Sequence, residues 1–143
     1  ISKINWQPDL IVASYHGIPK KYFDKGDPYH CYCQKTTRLL NESFNNNIEI
    51  KTTFQSRFGP QEWLQPYTDK TLEKLPKEGK KNVLLICPGF SSDCVETLEE
   101  IAMQGKETFL KNGGKNFDVV PCLNDSEDHI ELLSYLVNKY LIK

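Results

Sequence analysis

The chain has 143 residues, of which 38% are hydrophobic and 26% are charged, and its formal net charge is −1. That length and composition suffice for one compact hydrophobic core. The charge balance argues against nucleic-acid binding, which normally requires a basic face, and no apolar run approaches the ~20 residues that span a bilayer.

The start of the chain and its cysteines indicate the cellular compartment of the protein. The sequence begins at Ile1 with polar residues and has no signal-peptide pattern. The cysteines number five and show no disulfide-framework spacing, so we expect reduced thiols. We therefore expect a cytoplasmic protein, and one that forms the second part of a longer polypeptide.

The first part of the chain predicts a strand, a connection and a helix. The apolar run 10–13 predicts the first strand, and the Pro-, Gly- and Asp-rich stretch 17–27 predicts an irregular connection. Asp27 at the N-cap and Pro28 at the first helical position predict a helix start. We expect this helix to end at the three asparagines 45–47.

The rest of the chain alternates between strands and helices. Its predicted elements are a strand over 48–54, an aromatic loop over 55–67, a short helix over 69–75, a strand over 82–86, a long helix over 94–110, a strand over 117–121 and an amphipathic helix over 128–141. Such alternation predicts a Rossmann-like α/β fold, a mostly parallel four-stranded sheet flanked by helices. Since no repeat or linker interrupts it, we expect a single domain over 1–143.

His16 is the first candidate for chemistry, because it directly follows the first predicted strand. Gly17 and Pro19 then end any regular structure. An imidazole in this place can accept a proton or bind a metal near neutral pH. It can equally be a hydrogen-bonded histidine at a strand end. In a parallel sheet, this strand end should lie at the same edge as the end of the strand over 82–86.

The start of the long helix is acidic. Asp93 and Glu96 have the N-cap-x-x-Glu spacing of a capping box, which needs no function. Glu100 lies at i,i+4 from Glu96 on the same face, and Glu99 adds a third acid. On an exposed helix these acids would form a solvated face, whereas in a cleft they could carry protons or divalent cations. The local pattern leaves both alternatives open.

The stretch 54–69 is a loop that contains four aromatic residues. This aromatic density needs a surface to bury against. In one interpretation the loop folds onto its own core with Trp63 as the anchor. In the other it forms the wall of a pocket for a flat apolar ligand, with Ser56 and Arg57 as polar contacts at the rim.

Cys31 and Cys33 form a weak metal-binding pattern, because no second matching pair accompanies them. Residues two apart on a helix also point about 200° apart. Cys87 and Cys94 flank the start of the long helix, and for them a buried thiol is the simpler interpretation. The sequence has neither a Gly-x-Gly-x-x-Gly nor a Walker A loop, so we expect no nucleotide cofactor.

Taken together, these segments resemble the C-terminal half of the ferrochelatase family in its bacterial form. The matching motifs are Ser14-Tyr15-His16-Gly17-Ile18-Pro19, Asp27-Pro28-Tyr29, Gln55-Ser56-Arg57-Phe58-Gly59-Pro60 with Trp63-Leu64 and Thr68-Asp69, and Phe90-Ser91-Ser92-Asp93-Cys94-Val95-Glu96-Thr97-Leu98. They occur in the family's order and cover nearly the whole chain.

The resemblance implies one lobe of a two-lobed chelatase fold, with a porphyrin cleft between this lobe and an N-terminal lobe absent from the chain. It implies that His16 and Glu96 are the catalytic and metal-contacting pair, and that Glu100 lies on a proton or metal path. The residues implied to bind porphyrin are Ser56, Arg57 and Trp63. The implied reaction inserts ferrous iron, as a substrate, into a porphyrin such as protoporphyrin IX, the last step of haem biosynthesis. No cofactor is required, and no [2Fe-2S] cluster is expected.

Two alternatives accompany this interpretation: another tetrapyrrole metal chelatase of the same fold, and a tetrapyrrole-binding module without catalysis. Because one lobe supplies only one wall of a cleft, we expect the isolated chain to be inactive or weakly active. The sequence leaves open the oligomeric state, the choice between protoporphyrin and coproporphyrin, and peripheral contact with the inner face of a membrane.

Overall fold

The centre of the molecule is a parallel sheet of four strands. A computed structural model describes residues 4–44 and 47–141. The strands are β1 (Leu10–His16), β2 (Ile50–Gln55), β3 (Asn82–Ile86) and β4 (Asn116–Val119). Their order in the sheet is β2-β1-β3-β4, and every neighbouring pair is parallel. The predicted α/β fold with a four-stranded parallel sheet is confirmed.

Helices follow the strands along the chain. They are α1 (Lys20–Asp24), α2 (Tyr29–Ser43), α3 (Thr68–Lys74), a π-helix (Glu96–Gly105), α4 (Lys106–Lys111) and α5 (Glu127–Leu141). The prediction of an irregular connection over 17–27 is wrong, because α1 forms there. Lys20 and Asp24, the first and last residues of α1, form an ion pair with Nζ 2.7 Å from Oδ1. Over the described ranges, no helix has the length and apolar character needed to cross a membrane.

The start of α2 differs from its prediction by one residue. Pro28 occupies the N-cap position and the helix begins at Tyr29, whereas Asp27 and Pro28 were predicted as N-cap and first helical residue. The Asp27 carboxylate still accepts a hydrogen bond from the Tyr29 backbone N–H, at 2.9 Å. Of the predicted terminating residues, Asn45 and Asn46 lie outside the described residues.

The core occupies both faces of the sheet, because β1 alternates its side chains between them. Leu10 and Val12 join a cluster with the π-helix and α4 on one face. Ile11, Ala13 and Tyr15 join a cluster with α2 on the other. Burial on both faces explains why the start of β1 is a continuous apolar run rather than an alternating one.

The carboxyl ends of β1 and β2 lie side by side. In the parallel register the last pair is His16 with Gln55. The segment after β3 reaches the same edge, since the Cys87 thiol lies 3.7 Å from the Gln55 side-chain oxygen. The sheet therefore brings the two segments predicted to carry chemistry to one edge.

Candidate functional site at the carboxyl edge of the sheet

His16 is the last residue of β1, not the first residue after it as predicted, because the strand pairs with β2 as far as Gln55. Its Nδ1 lies 2.7 Å from the Gly17 carbonyl oxygen. A carbonyl oxygen only accepts hydrogen bonds, so Nδ1 carries the hydrogen and Nε2 keeps a lone pair. The Nε2 atom is thus the one able to accept a proton or ligate a metal.

The backbone of His16 is held from α2. The Tyr29 hydroxyl donates to the His16 carbonyl oxygen at 2.8 Å. Burial raises the pKa of Tyr29, so this hydroxyl keeps the proton that it donates. The centre of the Phe90 ring lies 6.2 Å from the centre of the imidazole ring. The Tyr29 hydroxyl thus fixes the backbone of His16, and the ring itself is held by its hydrogen bond to the Gly17 carbonyl oxygen.

Gln55 connects His16 to the π-helix. It is buried and pairs with His16 in the sheet. Its Oε1 accepts from the Ser14 hydroxyl at 2.7 Å, and its Nε2 donates to the Glu96 carbonyl oxygen at 3.0 Å. Sequence reasoning did not single out Gln55 for this role, since an amide at a strand end carries no signal of the partners it will meet.

The capping box, one of the two alternatives left open for the start of the acidic helix, does not form. The Asp93 backbone N–H, which Glu96 would have to bind, donates instead to Asn124 Oδ1 at 2.8 Å. The Asp93 carboxylate accepts from the Asn124 amide, the Thr97 hydroxyl and the Cys122 backbone. Because Asn124 occupies the position that Glu96 would have taken, the Glu96 side chain is not held at the Asp93 backbone.

The Glu96 carboxylate is partly exposed. A hydrogen bond from the Cys94 thiol lowers its pKa, and its own backbone N–H and the nearby His16 imidazole lower it further. Hydrogen bonding and a basic neighbour therefore keep this carboxylate anionic over a wider pH range than usual.

Glu100, one turn after Glu96, binds the first residue after β2. Its Oε1 accepts from the Ser56 backbone N–H at 2.7 Å, and its Oε2 accepts from the Ser56 hydroxyl at 2.8 Å. Ser56 and Glu96 line one open depression of about 390 Å³, together with Arg57 and Glu100. The structure thus brings together four of the predicted site residues at this edge.

The other polar residue predicted at the rim, Arg57, has one partner in the loop and one in α3. Its guanidinium lies 2.6 Å from the Asp69 carboxylate and 4.1 Å from the centre of the Tyr67 ring. The side chain is more than a third exposed, so the ion pair stabilises the fold weakly. Arg57 could exchange these partners for an anionic group of a ligand.

Trp63 is buried, with 5% of its surface exposed, which supports the anchoring interpretation of the loop. Its indole N–H donates to the Phe58 carbonyl oxygen at 3.0 Å, and the two rings lie 5.3 Å apart. Phe58 itself is 74% exposed. The loop therefore presents Phe58 to solvent and uses Trp63 to hold the loop in place.

The cysteines do not form a metal centre in the described part of the chain. Cys31 is exposed and Cys33 is buried, so the two thiols lie on different sides of α2. Burial raises the pKa of the Cys87 thiol to about 12 and of the Cys122 thiol to about 11. Across residues 4–44 and 47–141, no group of three or more His, Cys, Asp or Glu side chains could hold a metal ion.

Comparison with known proteins places these motifs in one family. The family model described as Ferrochelatase matches residues 2–141. The Ferrochelatase of Rhizobium meliloti (strain 1021) is 56% identical over 142 residues, which are 99% of this chain and 42% of that protein. The Ferrochelatase of Francisella tularensis subsp. novicida (strain U112) is 51% identical over 142 residues, which are 97% of this chain and 42% of that protein.

A solved structure shares the fold at low sequence identity. It is a putative cobalamin (vitamin B12) biosynthesis CbiX protein from Marinobacter aquaeolei VT8, with a TM-score of 0.57 and 9% identity. The match covers 92% of this chain and 96% of that one. By contrast, the chain spans only 42% of the two curated relatives named above.

Proposed function

Because the chain belongs to the ferrochelatase family, we propose that it is one lobe of a ferrochelatase and that His16 and Glu96 act together in inserting ferrous iron into a porphyrin. The observation that carries this proposal is the arrangement of both residues around Gln55. That residue pairs with His16 in the sheet and donates to the Glu96 carbonyl oxygen.

The reaction must remove two pyrrole protons from the macrocycle while a divalent cation approaches the four nitrogens. His16 suits the proton acceptor, because its Nδ1–H is engaged by Gly17 and its Nε2 lone pair is free for this task. A base held in a fixed orientation near the macrocycle would take a proton without a large change in its own position.

Glu96 suits the metal side of the reaction. Hydrogen bonding lowers the pKa of this carboxyl group, so it competes poorly for protons and stays anionic. An anionic carboxylate is a suitable oxygen ligand for a divalent cation that must be held briefly and released. In this assignment Glu96 guides the iron to the face at which His16 accepts one pyrrole proton, and the second proton passes to water.

The cleft needs a second wall. We infer that the remaining part of the polypeptide, which the relatives carry beyond the matched 42%, supplies that wall as an N-terminal lobe. Phe58 and the depression beside Ser56 would then face the porphyrin from this side. The isolated chain would hold the reactive side chains without a complete binding site.

Metallation by the complete natural polypeptide that carries this chain tests the proposal. We expect His16→Ala and Glu96→Gln each to slow insertion of ferrous iron into porphyrin by at least about 100-fold. The matched control is Glu107→Gln, which removes an exposed carboxylate from α4 and should leave the rate within about twofold. Wild-type rates in both site variants would show the assignment to be wrong.

The same assay separates the alternative functions. A shift of the porphyrin Soret band without metallation by any divalent cation indicates a binding module. Rapid metallation with cobalt but not with iron indicates another chelatase of the same fold. For the isolated 143-residue chain we expect at most weak turnover, and full activity would contradict the need for a second lobe.

A further inference from the structure

Two consecutive residues at the end of β2 bind the π-helix at two points. Gln55 donates to the Glu96 carbonyl oxygen at 3.0 Å. Ser56 donates to both oxygens of the Glu100 carboxylate, at 2.7 Å from its backbone N–H and 2.8 Å from its hydroxyl. The start of the aromatic loop is thus joined to the helix that carries Glu96.

The backbone of Ser56 is held in an uncommon conformation. Its φ of 64° lies in the left-handed region, which residues other than glycine rarely adopt. Such a conformation persists where surrounding contacts fix it. The Glu100 carboxylate supplies those contacts, because it accepts the backbone N–H and the hydroxyl of the same residue.

We propose that Glu100 is a positioning residue, which holds Ser56 in its left-handed conformation and thereby keeps Gln55 between His16 and Glu96. The inference rests on the proposed function, because the geometry that it maintains is that of the His16 and Glu96 pair. Both carboxylate oxygens of Glu100 are engaged by Ser56, so the role assigned here is structural support of the site. It differs from the role of a proton or metal carrier.

The two roles predict opposite results for one conservative substitution. In Glu100→Gln, the amide oxygen can accept the Ser56 N–H and the amide nitrogen can donate to the Ser56 hydroxyl oxygen. The positioning contacts survive in this variant, but the negative charge is lost. Glu100→Ala removes the contacts and the charge together. A positioning role needs the contacts, whereas a carrier needs the charge.

The test measures porphyrin metallation by the complete natural polypeptide with these substitutions. We expect Glu100→Gln to stay within about twofold of wild type, and Glu100→Ala to lose about tenfold in kcat/KM for porphyrin, as for loss of hydrogen bonds to a charged group. Ser56→Ala should lower kcat/KM by itself and add little in the Glu100→Ala background, since the two residues form one contact. Glu107→Gln, in α4, is the control, because it removes one negative charge from an exposed helical position.

Equal loss in Glu100→Gln and Glu100→Ala would overturn the proposal in favour of a carrier. Wild-type activity in Glu100→Ala, or full additivity with Ser56→Ala, would also overturn it. A second readout does not need turnover: amide hydrogen exchange at Ser56 should be slow in wild type and Glu100→Gln and fast in Glu100→Ala. Equal exchange in all three proteins contradicts the inference, whereas an inactive wild type contradicts only the proposed function.

Discussion

The aromatic loop, which the structure places over 56–67, and the helix α5 differ in a way that their secondary structures do not suggest. The loop has an irregular backbone, yet Trp63 and Leu64 within it are buried, with 5% and 4% of their surfaces exposed. The helix α5 is regular over fifteen residues, yet His129, in its first turn, is the one buried residue of the described range Glu127–Leu141.

This difference shows that contacts, not regular backbone, decide how firmly a segment is attached. The loop is bound at several points along its length, including Leu64 N–H to the Ile18 carbonyl at 3.0 Å and Ser56 to Glu100. The helix is bound near its start, where His129 Nδ1 lies 2.6 Å from the Asn124 carbonyl oxygen. A segment attached at both ends and in the middle opens less readily than one attached at a single end.

Trp63→Ala should have the largest effect, because it removes the side chain that holds the middle of the loop. We expect a loss of about 3–5 kcal/mol in the free energy of unfolding, typical for a buried aromatic residue replaced by alanine. Urea denaturation of this chain, followed by circular dichroism, measures it.

Phe58→Ala is the matched control for Trp63→Ala, since Phe58 lies in the same loop and is 74% exposed. We expect a loss below about 0.5 kcal/mol, as for most surface substitutions. Equal losses in the two variants would mean that Trp63 does not hold the loop, and the comparison between loop and helix would fail.

Gly17→Ala tests how closely the loop packs against the segment that follows β1. A Cβ at Gly17 would lie 2.8 Å from the Gln55 carbonyl oxygen and 3.2 Å from Trp63 Cε3, so the backbone must move. We expect a loss of about 1–3 kcal/mol, as for overpacking of a core. The control is Gly89→Ala, whose added Cβ would meet Tyr15 at an ordinary 3.6 Å. Similar unfolding midpoints for the two alanine variants would contradict the close approach.

The sequence predicted the strands because their cause is local. Apolar runs and alternation mark β1, β2 and β3 within a few residues, and alternation with helices indicates a parallel sheet. His16 and Glu96 were proposed for chemistry from the family resemblance of their motifs, and their role stays a prediction. Their position after apolar runs was informative, since parallel strand ends meet at one edge.

The contacts that complete the site could not be predicted, because they join residues far apart in the chain. Ser56 meets Glu100 forty-four residues away, and Asp93 meets Asn124 thirty-one residues away. The Asp93 and Glu96 spacing indicated a capping box, but the side chain of Asn124 binds the Asp93 N–H instead. Likewise, apolar periodicity predicted the helix after Glu96 without distinguishing a π-helix from an α-helix.

Asp93→Asn tests the attachment near the start of α5. Asp93 accepts from the Asn124 amide at 2.8 Å, and Asn124 in turn lies against His129. We expect a loss of about 1 kcal/mol at neutral pH, the usual net value of a hydrogen bond. Urea denaturation of wild type and variant at several pH values measures the difference.

The expected pH dependence follows from the pKa of Asp93, which hydrogen bonds from Asn124 and Cys122 lower from its ordinary 3.8. A carboxyl group with a lowered pKa in the folded state stabilises the fold above pH 3.8. This contribution is lost as the pH falls through the folded value. The difference between wild type and Asp93→Asn should therefore shrink below about pH 4. A difference that grows on acidification would contradict these hydrogen bonds.

Leu136→Ala should have the smallest effect, because 41% of this side chain in α5 is exposed. We expect a change within about 0.5 kcal/mol in this chain. The matched control is Leu72→Ala in α3, where the same atoms are removed from a fully buried position and about 2–5 kcal/mol should be lost. If Leu136→Ala cost as much as Leu72→Ala, the apolar side of α5 would be covered in solution. The helix would then be held as firmly as the loop, by more contacts than the one around His129.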